Sequence, residues 1–184
     1  YSVDITDANG CVTTESTAIS AAIPIILTAN TDQTICYGYA PSSLNASSGG
    51  VTGTYSWADA SAPSTVLGTG STFSPPPLTT TTTYTVTFTE TSSGCTATDF
   101  VVITVDPGPT VIANVSPSAT VCAGASITLT GSGTPSTYTW NGVTNGVAFL
   151  PPQAWWTNPP TPNPTTYTVT GTDNITQCSN TDNI

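Results

Sequence analysis

The chain contains no lysine, arginine or histidine, and these absences exclude whole classes of function. Ten acidic residues give the 184-residue chain a formal net charge of −10. Without Lys or Arg, nothing neutralises phosphate groups, so we expect no nucleic-acid partner and no attachment to anionic lipid. Without His there is no Ser-His-Asp or Cys-His constellation and no imidazole metal site, and without Lys there is no Schiff base and no P-loop.

Long apolar segments are also missing. No stretch of 18 or more apolar residues occurs, so we expect no membrane insertion. Aspartate and glutamate are the only acid–base groups left for an enzyme, in the manner of the paired carboxylates of glycosidases. Because no motif supports such a pair, we predict that the chain is not an enzyme and uses no cofactor.

Threonine is abundant instead, with 41 of the 184 residues. Threonine favours strands, and on an outward face it keeps a sheet soluble without charge. Gly, Pro and Asn interrupt the apolar segments at short intervals. This pattern is typical of an all-β sandwich.

One motif occurs three times and divides the chain. Residues 79–95 read TTTTTYTVTFTETSSGC, and related segments begin at Tyr1 (YSVDITDANGC) and at Thr165 (TTYTVTGTDNITQC). The tyrosines at positions 1, 84 and 167 are 83 residues apart (84 − 1 and 167 − 84), as are Tyr55 and Tyr138, and Trp57 and Trp140. A period of this length indicates tandem copies of a small domain.

The period predicts three segments: residues 1–22 as the C-terminal hairpin of a preceding repeat, 23–106 as a complete repeat, and 107–184 as a repeat with a truncated last strand. A lone hairpin is marginally stable in water, so we expect residues 1–22 to be completed by a neighbouring chain or by further strands of their own domain. Pro24 and Pro109 occupy the two junctions. Prolines make short, stiff connections, which predicts an extended rod.

Five cysteines without metal-ligand spacing indicate disulfides in an extracellular β-domain. Cys36 and Cys95 are 59 residues apart (95 − 36) and Cys122 and Cys178 are 56 apart (178 − 122), so we predict one bridge inside each repeat. Cys11 has the position of Cys95 and Cys178, and we expect it to be unpaired or to have its partner outside this chain. The alternative joins Cys11 to Cys36 and Cys95 to Cys122 across the junctions, and it requires the cysteines to meet across a strand length of ~30 Å.

An aromatic run at residues 154–156 (AWW) suggests a sugar platform. The period aligns Trp156 with Phe73, which predicts a core position, and Trp155 with an outward threonine. Trp155, with Phe149 and Leu150, is therefore a candidate exposed patch for glycan or for a neighbouring subunit. Burial of Trp155 under the proline-rich residues 159–164 is the alternative.

The acidic residues Asp7, Glu90 and Asp173 recur near the strand-end turns, and Asp106 lies at a junction. They could suggest calcium, but the ligands are too few and too widely spaced for a known loop. We predict instead that their side chains accept hydrogen bonds from turn amides and that no metal binds. Three triplets fit the N-glycan acceptor pattern and are candidate glycosylation sites: Asn45, Asn114 and Asn174.

These segments resemble a known family. VCAGASITLTGSGTPSTYTW and TTTTTYTVTFTETSSGC, with PTTYTVTGTD, are similar to the Ig-like or PKD-like tandem repeats of large secreted surface proteins and adhesins of Bacteroidetes-type bacteria. The shared marks are Cys-x-Gly (Cys36 to Gly38, Cys122 to Gly124), the Tyr-x-Trp strand, and Gly-Cys after the Tyr-Thr-Val strand, where this chain has Gln177 before Cys178. The resemblance implies tandem immunoglobulin-like β-sandwich domains, exported, often by type IX secretion, to the cell surface.

We therefore expect a non-catalytic structural or adhesive segment of an extracellular bacterial surface fibre or adhesin stalk. Its expected partners are neighbouring copies of the same protein or adjacent repeats of a longer chain. One alternative is a glycan- or surface-binding module that uses residues 149–164. Another is an ancillary repeat region of a secreted hydrolase.

Overall fold

The computed structural model describes residues 1–18, 24–122, 124–152 and 165–184, and every regular element in these ranges is a β-strand. The strands are β1 (Ser2–Thr6), β2 (Val12–Ser16), β3 (Thr28–Ala29), β4 (Gln33–Cys36), β5 (Leu44–Ser47), β6 (Gly53–Asp59), β7 (Gly68–Thr69), β8 (Thr72–Phe73), β9 (Thr82–Glu90), β10 (Thr96–Asp106), β11 (Val111–Ser116), β12 (Ile127–Gly133), β13 (Thr137–Trp140), β14 (Ala148–Phe149), β15 (Thr168–Thr172) and β16 (Ser179–Asn183). The prediction of an all-β chain is confirmed. In the described ranges, no helix has the length and apolarity needed to span a bilayer.

The strands form five sheets. The largest has the order β4-β10-β9-β6-β7, and three-stranded sheets have the orders β3-β5-β8, β11-β12-β14 and β13-β15-β16; β1 and β2 form a separate pair. Strand β9, which carries the Tyr-Thr-Val motif, is therefore the central strand of its sheet, as predicted. Strand β4 runs parallel to β10, with Cys36 opposite Asp106.

Two compact units divide the chain. Unit 1 comprises Tyr1–Asn30, Leu44–Phe73 and Thr85–Phe100, and unit 2 comprises Thr31–Ser43, Ser74–Tyr84 and Val101–Ile184. Both units combine segments that are distant in sequence, and both include residues of β9 and β10. The repeat boundaries at 22/23 and 106/107 therefore stay a prediction, and so does the rod.

The core of unit 1 contains the side chains that the strand alternation predicts. Leu44, Trp57, Val86 and Phe88 are fully buried. The Trp57 ring lies 6.0 Å from that of Phe73, measured between ring centroids. The Trp57 indole N–H also donates to the carbonyl oxygen of Gly70 at 3.0 Å, which satisfies the polar atom of a buried tryptophan.

The core of unit 2 contains the equivalent residues of the next repeat. Ile127, Leu129, Trp140 and Val169 form a buried cluster. The Trp140 indole N–H donates to Asn145 Oδ1 at 2.9 Å, so both tryptophans of the 83-residue period are buried with their N–H groups satisfied. The predicted equivalence of these two positions is confirmed.

A hydrogen bond between strands recurs with the same period. In unit 1, the backbone N–H of Ala29 donates to Asp99 Oδ2 at 2.7 Å. In unit 2, the backbone N–H of Ala113 donates to Asp182 Oδ2 at 2.8 Å. A carboxylate in the second strand of the repeated hairpin thus accepts from the first strand of the repeat in both copies, which fixes their alignment.

Candidate functional site

The cysteines form the most informative group of residues, and their pairing differs from the prediction. Cys36 is bonded to Cys178, with 5.5 Å between the two Cα atoms and 142 residues between them in sequence. Cys11, Cys95 and Cys122 are free and exposed. The predicted bridges Cys36–Cys95 and Cys122–Cys178 are wrong, and the cross-junction alternative does not occur either. The expectation that Cys11 is unpaired within this chain is confirmed.

Strand β10 explains why Cys36 cannot reach Cys95. Cys95 directly precedes the first residue of β10, whereas Cys36 lies opposite the last, Asp106. Eleven residues at about 3.3 Å each separate the two levels by roughly 35 Å. A disulfide needs Cα atoms within about 7 Å, so the two cysteines cannot bond.

The residues between the two predicted repeats bring Cys178 to Cys36. The Tyr37 backbone N–H donates to the carbonyl oxygen of Asp106 at 2.9 Å, which holds the Cys36 turn against residues 106–109. On the other side, Asn180 Nδ2 donates to the Pro109 carbonyl oxygen at 3.2 Å. A Cβ atom on Gly108 would lie 3.9 Å from the Cβ atom of Cys178. The bond therefore crosses the junction and joins the predicted repeats.

Three turns carry the cysteines Cys11, Cys95 and Cys178, and we call them the cysteine turns. In each, an acidic residue donates its backbone N–H to the carbonyl oxygen of the cysteine: Asp7 to Cys11 at 2.9 Å, Glu90 to Cys95 at 2.9 Å, and Asp173 to Cys178 at 3.0 Å. In each, the residue before the cysteine has a positive φ: 83° at Gly10, 70° at Gly94 and 60° at Gln177. The three turns share one design, although the first is one residue shorter.

The other half of the disulfide has a copy as well. Cys36 belongs to a Cys-x-Gly turn in which the Tyr39 backbone N–H donates to the Cys36 carbonyl oxygen at 3.1 Å and Gly38 has a φ of 79°. Cys122 lies in the same arrangement: the Ala125 N–H donates to its carbonyl oxygen at 3.0 Å, and Gly124 has a φ of 82°. We call these two the Cys-x-Gly turns.

The acidic residues stabilise the turns, as the sequence predicts. Asp7 Oδ1 accepts from the backbone N–H groups of Asn9 and Cys11 at 2.8 and 2.9 Å. Asp173 Oδ1 accepts from those of Ile175 and Thr176, and Asp106 Oδ1 from that of Gly108. Glu90 differs, because it accepts from the hydroxyl groups of Ser92 and Ser93. Among the described residues, no three of His, Cys, Asp and Glu are grouped as metal ligands.

These hydrogen bonds to the ionised carboxyl groups shift their pKa values. The Thr176 and then the Ile175 backbone N–H lower the pKa of Asp173. The hydroxyls of Ser93 and then Ser92 lower the pKa of Glu90. The N–H of Ala113, followed by that of Asn183, lowers the pKa of Asp182. All three carboxylates remain exposed, so their charge supports local geometry and not a reacting centre.

The proposed aromatic patch does not hold together. Phe149 packs against the cluster of Ile127, Leu129, Trp140 and Val169, and its ring meets that of Tyr167 edge-on with 5.4 Å between centroids. The prediction for Phe149 is wrong because β14 pairs with β12, which directs this side chain to the core. Leu150 is 63% exposed. Trp155 and Trp156 lie outside the described residues.

The three candidate glycosylation sites are exposed, and their side chains are engaged to different degrees. Asn114 Nδ2 donates to the carbonyl oxygens of Ile112 and Thr130 and to Ser132 Oγ. Asn45 Oδ1 accepts from the Thr72 hydroxyl at 3.1 Å, and Asn174 Oδ1 from the Ser136 hydroxyl at 2.8 Å. Attachment at Asn114 would break three hydrogen bonds of the amide nitrogen, so it is the least suitable of the three. Glycosylation itself stays a prediction.

The β1–β2 hairpin presents an apolar face that sequence reasoning did not single out. Val3 lies opposite Glu15 and Ile5 opposite Thr13, and Val3 and Ile5 are 58% and 60% exposed. Their counterparts one period later are Val86 and Phe88, which are both fully buried. The hairpin therefore exposes the face that the same motif buries elsewhere in the chain.

Comparison with known proteins places these features in a family context. Residues 22–109, just under half of the chain, match the model of the family described as "Ig-like domain CHU_C associated". Among solved structures, the chain is similar to the fibronectin(III)-like modules of CbhA from Clostridium thermocellum, with 13% identity, a TM-score of 0.39, and coverage of 86% of this chain and 91% of that chain. No curated protein matches the chain.

The family match and the strands together confirm two predictions. The resemblance to the Ig-like repeats of surface proteins is confirmed on residues 22–109, and the fold is an all-β, Ig-like sandwich. Domains of this fold are typically non-catalytic. An Ig-like domain with a disulfide is consistent with a structural role outside the cell, because disulfides persist in oxidising compartments.

Proposed function

We propose that the chain is a non-catalytic structural segment of an extracellular bacterial surface fibre or adhesin stalk, exported to the cell surface by a route such as type IX secretion. The observation that carries this proposal is the Cys36–Cys178 bond, which encloses 142 residues of sequence separation. A covalent link between successive repeats is of use to a protein that must stay extended under load. It gives no advantage to a chain whose purpose is a reaction at one site.

The disulfide changes how force travels through the molecule. Tension applied at the two ends reaches Cys36, crosses the bond to Cys178 and bypasses the polypeptide between them. Most of the buried core belongs to this bypassed segment, including Trp57, Phe88 and Trp140. These side chains therefore carry no tension until the bond is reduced.

The composition supports the same role. The absence of Lys and Arg removes every cleavage site for proteases that cut after basic residues, which suits an exposed polymer. Exposed threonines keep the sheets soluble without cations. Neighbouring copies or adjacent repeats are the natural partners, because a repeat of the same kind has the strands that would cover the exposed Val3 and Ile5.

The glycan-binding alternative has no comparable support. Phe149 packs in the core, which leaves Leu150 as the described member of the patch that is exposed. The hydrolase-associated alternative concerns parts of a polypeptide beyond these residues. The fibre proposal is therefore the one that the described contacts favour.

Surface labelling of the bacteria that make this protein tests the proposal. Antibodies raised against the 184-residue chain are applied to intact cells and, as a control, to permeabilised cells, and the label is located by electron microscopy. We expect label on intact cells, along structures that project from the surface. Label that requires permeabilisation would contradict the proposal.

Pulling on single molecules tests the mechanical part. We expect an oxidised chain, held at its ends, to release only the residues outside the disulfide loop, and a reduced chain to release roughly 500 Å more, at about 3.6 Å for each residue of the loop. The variant Cys36→Ser should behave as the reduced chain does, and Cys122→Ser as the oxidised parent. Equal extension of the parent with and without reductant would refute the force bypass.

A further inference from the structure

We propose that Cys122, Cys95 and Cys11 are unfilled halves of the linkage that Cys36 and Cys178 form, and that copies of this chain join covalently through them. A Cys-x-Gly turn pairs with a cysteine turn, and neither kind pairs with itself. Cys122 therefore bonds to Cys95 or Cys11 of another copy. The inference rests on the proposed structural function and specifies the contact through which the fibre grows.

The first support is that each free cysteine has the local geometry of a bonded one. Cys122 shares the turn of Cys36, with the same hydrogen bond to its carbonyl oxygen and the same left-handed glycine two residues later. Cys95 and Cys11 share the turn of Cys178, with the same hydrogen bond from the acidic residue. The bonded pair shows which halves are complementary.

The second support is the direction of the bonded pair. Cys36 belongs to the earlier predicted repeat and Cys178 to the later one, so a Cys-x-Gly turn bonds to the cysteine turn of the repeat that follows it. Cys122 should then bond to a repeat that follows, and Cys95 and Cys11 to one that precedes. Cys95 and Cys122 of one chain stand in the opposite order, which agrees with both being free.

The third support is accessibility. Cys178 is only 2% exposed in its bonded state, whereas Cys11, Cys95 and Cys122 are all exposed. Disulfide formation requires that a thiolate reach a sulfur atom without obstruction. The three free thiols meet this condition, and one chain presents both kinds of half at once, so a head-to-tail arrangement of copies can repeat without limit.

The chemistry is ordinary thiol–disulfide exchange with a small-molecule disulfide as the oxidant. The Cys122 thiolate attacks the oxidant, forms a mixed disulfide and releases one small thiol. The thiolate of Cys95 or Cys11 on a second copy then attacks the Cys122 sulfur and releases the second small thiol. Two protein thiols are thus oxidised to one disulfide while one oxidant disulfide is reduced to two thiols.

The test uses the full 184-residue chain at several concentrations in oxidised and reduced glutathione. The products are separated without reductant, digested with pepsin at low pH to prevent exchange, and the cross-linked peptides are identified by mass spectrometry. We expect covalent oligomers whose yield rises with protein concentration and whose intermolecular bonds are Cys122–Cys11 or Cys122–Cys95. Bonds such as Cys122–Cys122 or Cys95–Cys95 in comparable yield would overturn the proposal, and so would a product that stays monomeric.

Two variants separate selective pairing from the random oxidation of exposed thiols. Cys122→Ser leaves only cysteine turns, and the double variant Cys11→Ser/Cys95→Ser leaves only a Cys-x-Gly turn. Both should remain monomeric alone, and an equimolar mixture of the two should yield heterodimers. Dimers of either variant alone would refute the selectivity, whereas peptides that retain Cys36–Cys178 in every sample verify that the fold is intact.

The outcome is independent of surface location. Monomers under all conditions would refute covalent joining of copies and leave a surface-exposed, force-bearing segment untouched. Selective oligomers from a protein that antibodies find only inside cells would support the linkage and refute the fibre. The two proposals therefore fail separately.

Discussion

The hairpins β1–β2 and β9–β10 are built from the same motif, yet one is exposed on both faces and the other lies in the core. Every residue of β1 and β2 is exposed, whereas β9 alternates buried with partly exposed positions. Both have an acidic residue at the turn and a cysteine after a left-handed glycine. The local sequence therefore determines the hairpin, and burial requires an opposing sheet such as β3-β5-β8.

The third copy, β15–β16, separates burial from covalent linkage. Val169 of β15 is fully buried, like Val86 of β9, and only β15–β16 has its turn cysteine in a disulfide. Strand β9 reaches its buried state with Cys95 free. The disulfide is therefore not needed to pack a hairpin into a sandwich, which supports a role in joining repeats.

Removal of the disulfide should have the largest effect on stability. In the chain-entropy estimate, a loop of 142 residues contributes up to about 5 kcal/mol by restricting the unfolded chain. We expect the double variant Cys36→Ser/Cys178→Ser to lose 2 to 5 kcal/mol, by the same estimate, in urea unfolding followed by tryptophan fluorescence. The matched control Cys95→Ser should stay within about 0.5 kcal/mol of the parent. Equal losses in both variants would show that the bonded and free turns do not differ.

Truncation of equivalent side chains measures the contrast between the first two hairpins directly. Phe88 is fully buried and its ring lies 4.9 Å from that of Tyr55, measured between centroids. We expect Phe88→Ala to cost about 3 to 5 kcal/mol of unfolding free energy, because it removes a large buried ring and leaves a cavity. Ile5→Ala should cost less than about 0.5 kcal/mol, since Ile5 is exposed. A large loss at Ile5 in the isolated chain would mean that the hairpin face is already covered.

Much of the fold follows from the sequence because the period and the strand alternation act locally. The positions of β1, β2, β6 and β9 and the burial of Trp57 and Trp140 follow from alternation and from the 83-residue interval. The parallel pairing of β4 with β10 does not, because it depends on how distant segments meet. The exposure of β1–β2 does not either, since the motif has the same apolar residues where it is buried.

The cysteine pairing illustrates the limit most clearly. Spacing within a repeat made Cys36–Cys95 attractive, but β10 places these residues at opposite ends of a strand of eleven residues. The length of the apolar alternation after Cys95 was the signal that could have excluded this pair. No comparable signal identifies Cys178 as the partner, because the contact with Cys36 depends on the geometry of residues 106–109.

Exchange of residues at the position before the turn cysteine should sharpen the comparison by a smaller amount. Gln177 has a φ of 60°, where Gly10 and Gly94 occupy the other two turns. A left-handed conformation costs a residue with a Cβ roughly 1 kcal/mol, so we expect Gln177→Gly to gain about 0.5 kcal/mol after the greater freedom of glycine in the unfolded chain is subtracted. The reciprocal change Gly94→Ala should lose about 1 kcal/mol, and it isolates the backbone term because nothing lies within 4 Å of the new Cβ. Urea midpoints for both variants measure the pair, and effects of the same sign would refute the shared turn design.

Acid should weaken the contact that Asp182 makes, with the smallest effect because this carboxylate is exposed. The Ala113 N–H, and after it the Asn183 N–H, lower the pKa of Asp182 in the folded protein below its ordinary value. A depressed folded pKa stabilises the fold above the unfolded pKa, and this stabilisation is lost as the pH falls from about 5 through the folded pKa. We therefore expect Asp182→Asn to unfold with a shallower dependence on pH between about 5 and 2, measured as the urea midpoint at each pH. Ser179→Ala, a neutral change on the same strand, should keep the slope of the parent, and a parent-like slope for Asp182→Asn would show that the bond to Ala113 contributes nothing to the acid response.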